Sequence, residues 1–200
     1  MSINVCNDRS MASITSLPSG VSGSSLVLIS TVTASSSATV EFTSGIDSTY
    51  KEYQVHYIDV HPATDNVHFQ VNFRDGSTAY DATKTTTYFR AFQGEDDSSA
   101  ALGYDDGVDL AQSTAVQVLN QTVGADNDQS VSGILHLFDP SSTTFVKHFI
   151  ARGNRAQSAN FSVDDYVAGY CNTTAAIDGI QFSFASGNIG AGTFKLYGVT

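Results

Sequence analysis

The chain has 200 residues, 41% of them hydrophobic and 10% aromatic, enough apolar material for one sizeable core and too much for general disorder. Nine Lys and Arg against 20 Asp and Glu leave a formal charge of −11 and a pI near 4.5. That balance repels phosphate backbones and anionic lipid surfaces, so nucleic acid and membrane are excluded as general partners.

Residues 1–24 are polar and Ser-rich, with Pro18, Gly20 and Gly23. They read as an N-terminal arm or connector, with Asp8 placed to cap a short helical turn over Arg9–Ser16. The stretch has no basic n-region and no long apolar run, so a secretory signal is not expected. Nothing in the chain approaches the apolar length of a membrane-spanning helix. The expectation is synthesis and retention in a cytoplasm. There the Asn120, Asn160 and Asn172 glycosylation sequons have no consequence, and Cys6 and Cys171 are expected as thiols, a single disulfide being the alternative.

From residue 25 onward the pattern is that of strands. "LVLISTVT" (26–33) and "ATVEFTS" (38–44) flank Ala34–Ser37, which reads as a hairpin loop. "YQVHYIDV" (53–60) ends at a break, His61-Pro62. "NVHFQVNF" (66–73) alternates cleanly: Val67, Phe69, Val71 and Phe73 face one way, and His68, Gln70 and Asn72 the other. Strict period two predicts one buried and one wet face. "TKTTTYFRAF" (83–92) is β-branched and aromatic, whereas the acidic, aperiodic 93–113 reads as a long surface loop. "AVQVLNQT" (115–122) fits a short strand or a helix.

"SVSGILHLF" (130–138) and "TFVKHFIAR" (144–152) flank Asp139–Ser142, whose Asp and Pro are turn-formers. "DDYVAGYCN" (164–172) precedes a final pair, 180–184 and 194–196, read as a hairpin around the loop Ser186–Gly192. About ten antiparallel strands, no long helix and no repeat period predict an all-β sandwich or jelly roll over 25–200.

Chemistry is sparse. His56 and His61 have opposite facing parity, and His68 lies on the polar face of its strand. His136 and His148 would approach if their strands pair, but no third ligand accompanies them, and catalytic zinc needs three. The acidic groups Glu95-Asp96-Asp97, Asp105-Asp106 with Asp109, and Asp126 with Asp128 fall in loops. They read as solvated, with Ca²⁺ at one of them as the alternative. No nucleophile elbow, Walker loop or paired-cysteine motif is present. "GNIGAGTF" (187–194) joins two strands, where a dinucleotide loop needs a following helix. The reading is a protein with no catalytic, cofactor or metal residues. Tyr80, Tyr88 and Tyr104 are the side chains available to stack on a sugar if the chain binds glycan.

The segment 26–73, with its Ser-rich stretch, "IDSTYKEY" and the "IDVHPATD" break, resembles virion proteins of marine tailed bacteriophages. So do "LHLFDPSSTTFVKHFIAR" (135–152), 167–199 and "NDRSMASITSLPSGVS" (7–22), so the resemblance covers most of the chain. It implies a noncatalytic structural protein, either a capsid decoration protein or a head or tail appendage, assembled in the host cytoplasm and located on the virion. Its expected partners are other virion proteins and copies of itself, the trimer common among phage appendages being the geometry the resemblance implies. The alternative within the same family is a tail-fibre module that binds host surface glycan.

Overall fold

The computed structural model describes residues 25–200; the expected arm over 1–24, with Asp8 and Cys6, lies outside the described residues. Among the described residues there are twelve strands and no helix. They are β1 (Leu26–Ser37), β2 (Val40–Phe42), β3 (Glu52–Pro62), β4 (Val67–Arg74), β5 (Lys84–Gly94) and β6 (Ala100–Tyr104). The second half supplies β7 (Gln117–Val123), β8 (Val131–Phe138), β9 (Lys147–Gln157), β10 (Phe161–Cys171), β11 (Gly179–Phe184) and β12 (Ile189–Val199).

All pairings are antiparallel. Eight strands run in the order β1-β12-β3-β8-β9-β10-β5-β6, and four in the order β7-β4-β11-β2. The two layers join where β7 meets β9 at the pair Val123 and Gln157. The result is the expected all-β, sandwich-like fold, with two strands more than the periodicity suggested.

Between the layers lies an aromatic core. Phe69 of β4 stacks on Phe182 of β11, with ring centroids 5.7 Å apart, and Phe194 of β12 packs 5.3 Å from Phe182. Tyr57 of β3 closes the group at 5.2 Å from Phe69. All four are fully buried, each contributing roughly 2–3 kcal/mol of apolar transfer energy. A register row explains how Tyr57 fits. Its neighbours across β8 and β9 are Gly133 and Gly153, and a Cβ on either would lie within 2.5 Å of the Tyr57 hydroxyl.

Several sequence expectations need correction. Ala34–Ser37 is not a hairpin loop, because β1 runs through it and pairs with β12, while β2 pairs with β11. β3 continues through His61-Pro62; its irregularity falls earlier, at Ile58 and Asp59, where Asp59 adopts φ 50°. The acidic 93–113 segment holds β6, paired with β5. β7 is a strand, buried at all but Thr122, which reflects its place where the two layers join. The final two strands do not form a hairpin. β11 lies between β2 and β4, β12 lies between β1 and β3, and the chain crosses layers through residues 185–188.

Other expectations hold. Val67, Phe69, Val71 and Phe73 are buried, as are Ile180, Phe182, Phe184, Phe194 and Leu196. β8 and β9 pair through the Asp139 turn, closed by Ser142 N–H donating to the Asp139 carbonyl at 3.0 Å.

Candidate functional site

β9 alternates without a fault from Lys147 to Arg155, one residue in and one out. Its inner residues and those of β5, β7 and β10 build a polar network inside the sandwich. Its outer residues, with those of β5, β8 and β10, build an open surface. The two faces differ in what they can do.

On the inner face Arg155 and Asp165 are both fully buried, with Nε 2.8 Å from Oδ2. Tyr88 donates its hydroxyl to Asp165 Oδ1 at 2.6 Å, and Asn120 Nδ2 donates to Oδ2 at 2.8 Å. Arg155 Nη1 reaches Thr122 Oγ1 at 2.9 Å. Burial pushes the Asp165 carboxyl up, against the guanidinium and the two hydrogen bonds that favour its ionised form. It also pushes the Tyr88 hydroxyl up, helped by the nearby Asp165 charge. Asn120 Oδ1 and Arg155 Nη2 have no partner among the described residues. No member of the core pair meets solvent, so its chemistry is structural.

A second inner row sets Cys171 between Lys84 of β5 and Lys147 of β9, its register partners on either side. Lys84 Nζ donates to Asn72 Oδ1 at 2.5 Å and to the Ala82 carbonyl at 2.7 Å. Burial brings its ammonium down to about 8 and raises the Cys171 thiol to about 12. Cys171 is a buried free thiol, as expected for that residue. Asn72, placed by alternation on a wet face, is buried instead because it receives this lysine.

The outer face is open and mixed. Phe89 and Tyr166 stack with centroids 4.6 Å apart and planes within 4°. The next strand's Arg152 lies 4.9 Å over the Tyr166 ring and grips Asp164 through Nε and Nη2, at 3.1 and 2.7 Å. Tyr166 donates to the same carboxylate at 2.9 Å. Partial burial alone would raise the Asp164 pKa, but Arg152 and Tyr166 outweigh it and hold it low. Beside this group a cleft of about 520 Å³ runs between Ile134, His136, Ile150 and Arg152. Ile150 also borders a second, largely apolar cleft of about 430 Å³, with Thr85, Thr87, His148, Ala168 and Tyr170. Ile150 is 50% exposed and Leu102 72%, so apolar side chains reach solvent on this side of the molecule.

The histidines are distributed, not gathered. His136 Nδ1 lies 2.8 Å from Glu52 Oε1, and His56 bonds Gln54 and packs against Tyr197. Burial, with His136 and Lys195 nearby, lowers the His56 pKa. His136 stands opposite Ile150, so it is two register rows away from His148. His61 bonds the Gln129 carbonyl, and His68 accepts the Thr122 N–H. Among the described residues no three His, Cys, Asp or Glu side chains come close enough to hold a metal ion, the three acidic loop groups included. Tyr88 is withdrawn from any ligand by burial, Tyr80 bonds Glu41, and Tyr104 is exposed with its hydroxyl on Asp109.

Sequence reasoning missed the inner polar network and the Phe89–Tyr166–Arg152–Asp164 group. The signal for the first was present: Lys147 and Arg155 share facing parity with Phe149 and Ala151, and Asp165 with Val163 and Val167. The second needs the β5–β10–β9 register, which no local pattern supplies. No protein-family model, no curated protein and no solved structure matches this chain.

Proposed function

We propose that this chain is a noncatalytic structural protein of a tailed-phage virion, a capsid decoration protein or a head or tail appendage. It meets neighbouring virion proteins through the outer face of the larger layer. The observation that carries this reading is the contrast between the two faces. The buried ionic and polar groups are largely spent on one another, whereas Ile150 and Phe89 stay exposed beside the half-buried Tyr166. Exposed apolar surface bordered by polar groups is interface chemistry. The stretches 26–73, 135–152 and 167–199 that resemble phage virion proteins give that interface its setting. Copies assemble with closed symmetry, as a trimer, and the protein resides on the particle after assembly in the host cytoplasm.

Mass spectrometry of purified particles tests the reading. The chain is expected at a fixed, stoichiometric copy number, and its absence from washed particles overturns the assignment. One observation favours a second reading, a glycan-binding module on a tail fibre. The exposed Phe89 offers an aromatic surface in a group that also holds a carboxylate and a guanidinium, the groups that hold a sugar ring and its hydroxyls. Binding on a glycan array that is lost in Phe89→Ala selects this alternative.

A further inference from the structure

Among the described residues the larger layer ends in β1 on one side and β6 on the other, and the smaller layer ends in β2. Natural sheets blunt such edges with bulges, charges, proline or short strands, because unpaired backbone groups template further pairing. β1 carries a register shift between Leu28 and Ser30, and β2 spans three residues with Glu41 at its centre. β6 has none of these protections. Its register with β5 runs unbroken from Tyr104 opposite Phe89 to Ala100 opposite Gln93. Its sequence, Ala-Ala-Leu-Gly-Tyr, contains no charge and no proline, and all five residues are exposed.

The surroundings of β6 carry one sign of charge. Glu95, Asp96 and Asp97 precede it and Asp105, Asp106 and Asp109 follow it, with no Lys or Arg anywhere from residue 93 to 109. Arg90 on β5 reaches Asp105 at 3.4 Å, which leaves the leading end without a cationic partner among the described residues. A second copy of β6 laid antiparallel would set acid against acid at both ends. β1 of another copy offers no basic residue at all.

We propose that β6 is a docking edge for an extended segment of another protein, one with an apolar or β-branched centre and Lys or Arg at both ends. The segment adds as a strand beyond β6, its main chain pairing with the free groups of Ala100–Tyr104. Its alternate side chains lie beside Leu102 and Tyr104, which share the outer face with Phe89, and its basic ends meet the two acidic groups. The proposal goes beyond the virion reading and stands or falls independently of particle location.

The test uses the full-length chain, isotopically labelled, and synthetic peptides of alternating Val and Thr ended by two lysines or by two glutamates. The Lys-ended peptide is expected to shift the amide resonances of residues 100–104 and slow their hydrogen exchange. Its affinity should fall about tenfold or more between low and high salt, because the end contacts are exposed ion pairs. Leu102→Lys, at a 72% exposed position that does not support the core, should keep the melting temperature and lose binding. Equal binding of the Glu-ended peptide, shifts elsewhere on the surface, or no shift at millimolar peptide each overturn the proposal. Shifts at 100–104 that depend on protein concentration without peptide assign the edge to a second copy and also overturn it.

Discussion

Lys84 is the residue whose cost of burial can be read most directly. It projects inward from β5 with no solvent exposure, held by Asn72 and the Ala82 carbonyl. Burial lowers its pKa from 10.5 to about 8, so the unfolded chain holds this proton more tightly than the folded one. The cost of the buried charge is therefore complete below pH 8 and is relieved as pH rises toward 10.5. Relative to Lys84→Met, the wild-type protein should gain up to about 3 kcal/mol over that window, measured by denaturation at stepped pH. Cys171, raised to about 12, acts in the opposite sense above its ordinary 9, but both proteins carry it and the difference removes it. A flat difference would mean that folding leaves the Lys84 ammonium near its ordinary pKa, its charge hydrated or compensated inside the fold. Arg155 poses the complementary case. Arg155→Met strands the Asp165 carboxyl inside the sandwich and should cost about 3–5 kcal/mol in urea unfolding. Arg155→Met with Asp165→Leu should recover much of that loss, because the uncompensated charge is gone.

At the scale of the element, alternation made most strands legible and said little about their neighbours. Val67 to Phe73 and Ile180 to Phe184 declare their buried faces by period two, and the structure agrees. Whether β12 pairs with β11 or with β1 and β3 is invisible to that pattern, since residues 185–188 are long enough for a hairpin or for a crossing between layers. β6 was illegible because both of its faces are exposed, and without a buried face no alternation is selected. The inner polar residues were obscured by their own polarity: β9 continues to Gln157, and the reading that stopped at Arg152 treated the following polar run as its end. Asp165 was hidden likewise, read as part of an acidic strand start. The corrected pairing sharpens what the C-terminal strand does. β12 lies between β1 and β3 along almost its whole length, and it contributes Phe194 and Leu196 to the core. Deleting Phe194–Thr200 therefore removes two core side chains and separates β1 from β3. The truncated chain should fail to show a cooperative thermal transition, and a soluble product with wild-type-like near-UV circular dichroism would show that β12 is dispensable.

For the whole molecule, the division between a sealed interior and an open outer face decides where function can lie. A net charge of −11 keeps copies apart at long range, so association has to come from short-range apolar contact strong enough to act at physiological screening. The outer face supplies that contact around Ile150 and Phe89, both on central strands whose backbones are fixed by neighbours on each side. Phe89→Ser combined with Ile150→Lys changes side chains that are 41% and 50% exposed. Substitution at such positions should leave unfolding free energy within about 1 kcal/mol of wild type. If this face joins the chain to its neighbours, the double variant should sediment as a smaller species than wild type at equal concentration. It should also be missing from particles assembled in its presence, while retaining the wild-type melting transition. Unchanged sedimentation together with normal incorporation would remove this face from assembly and leave the sheet edges as the surfaces to which any partner binds.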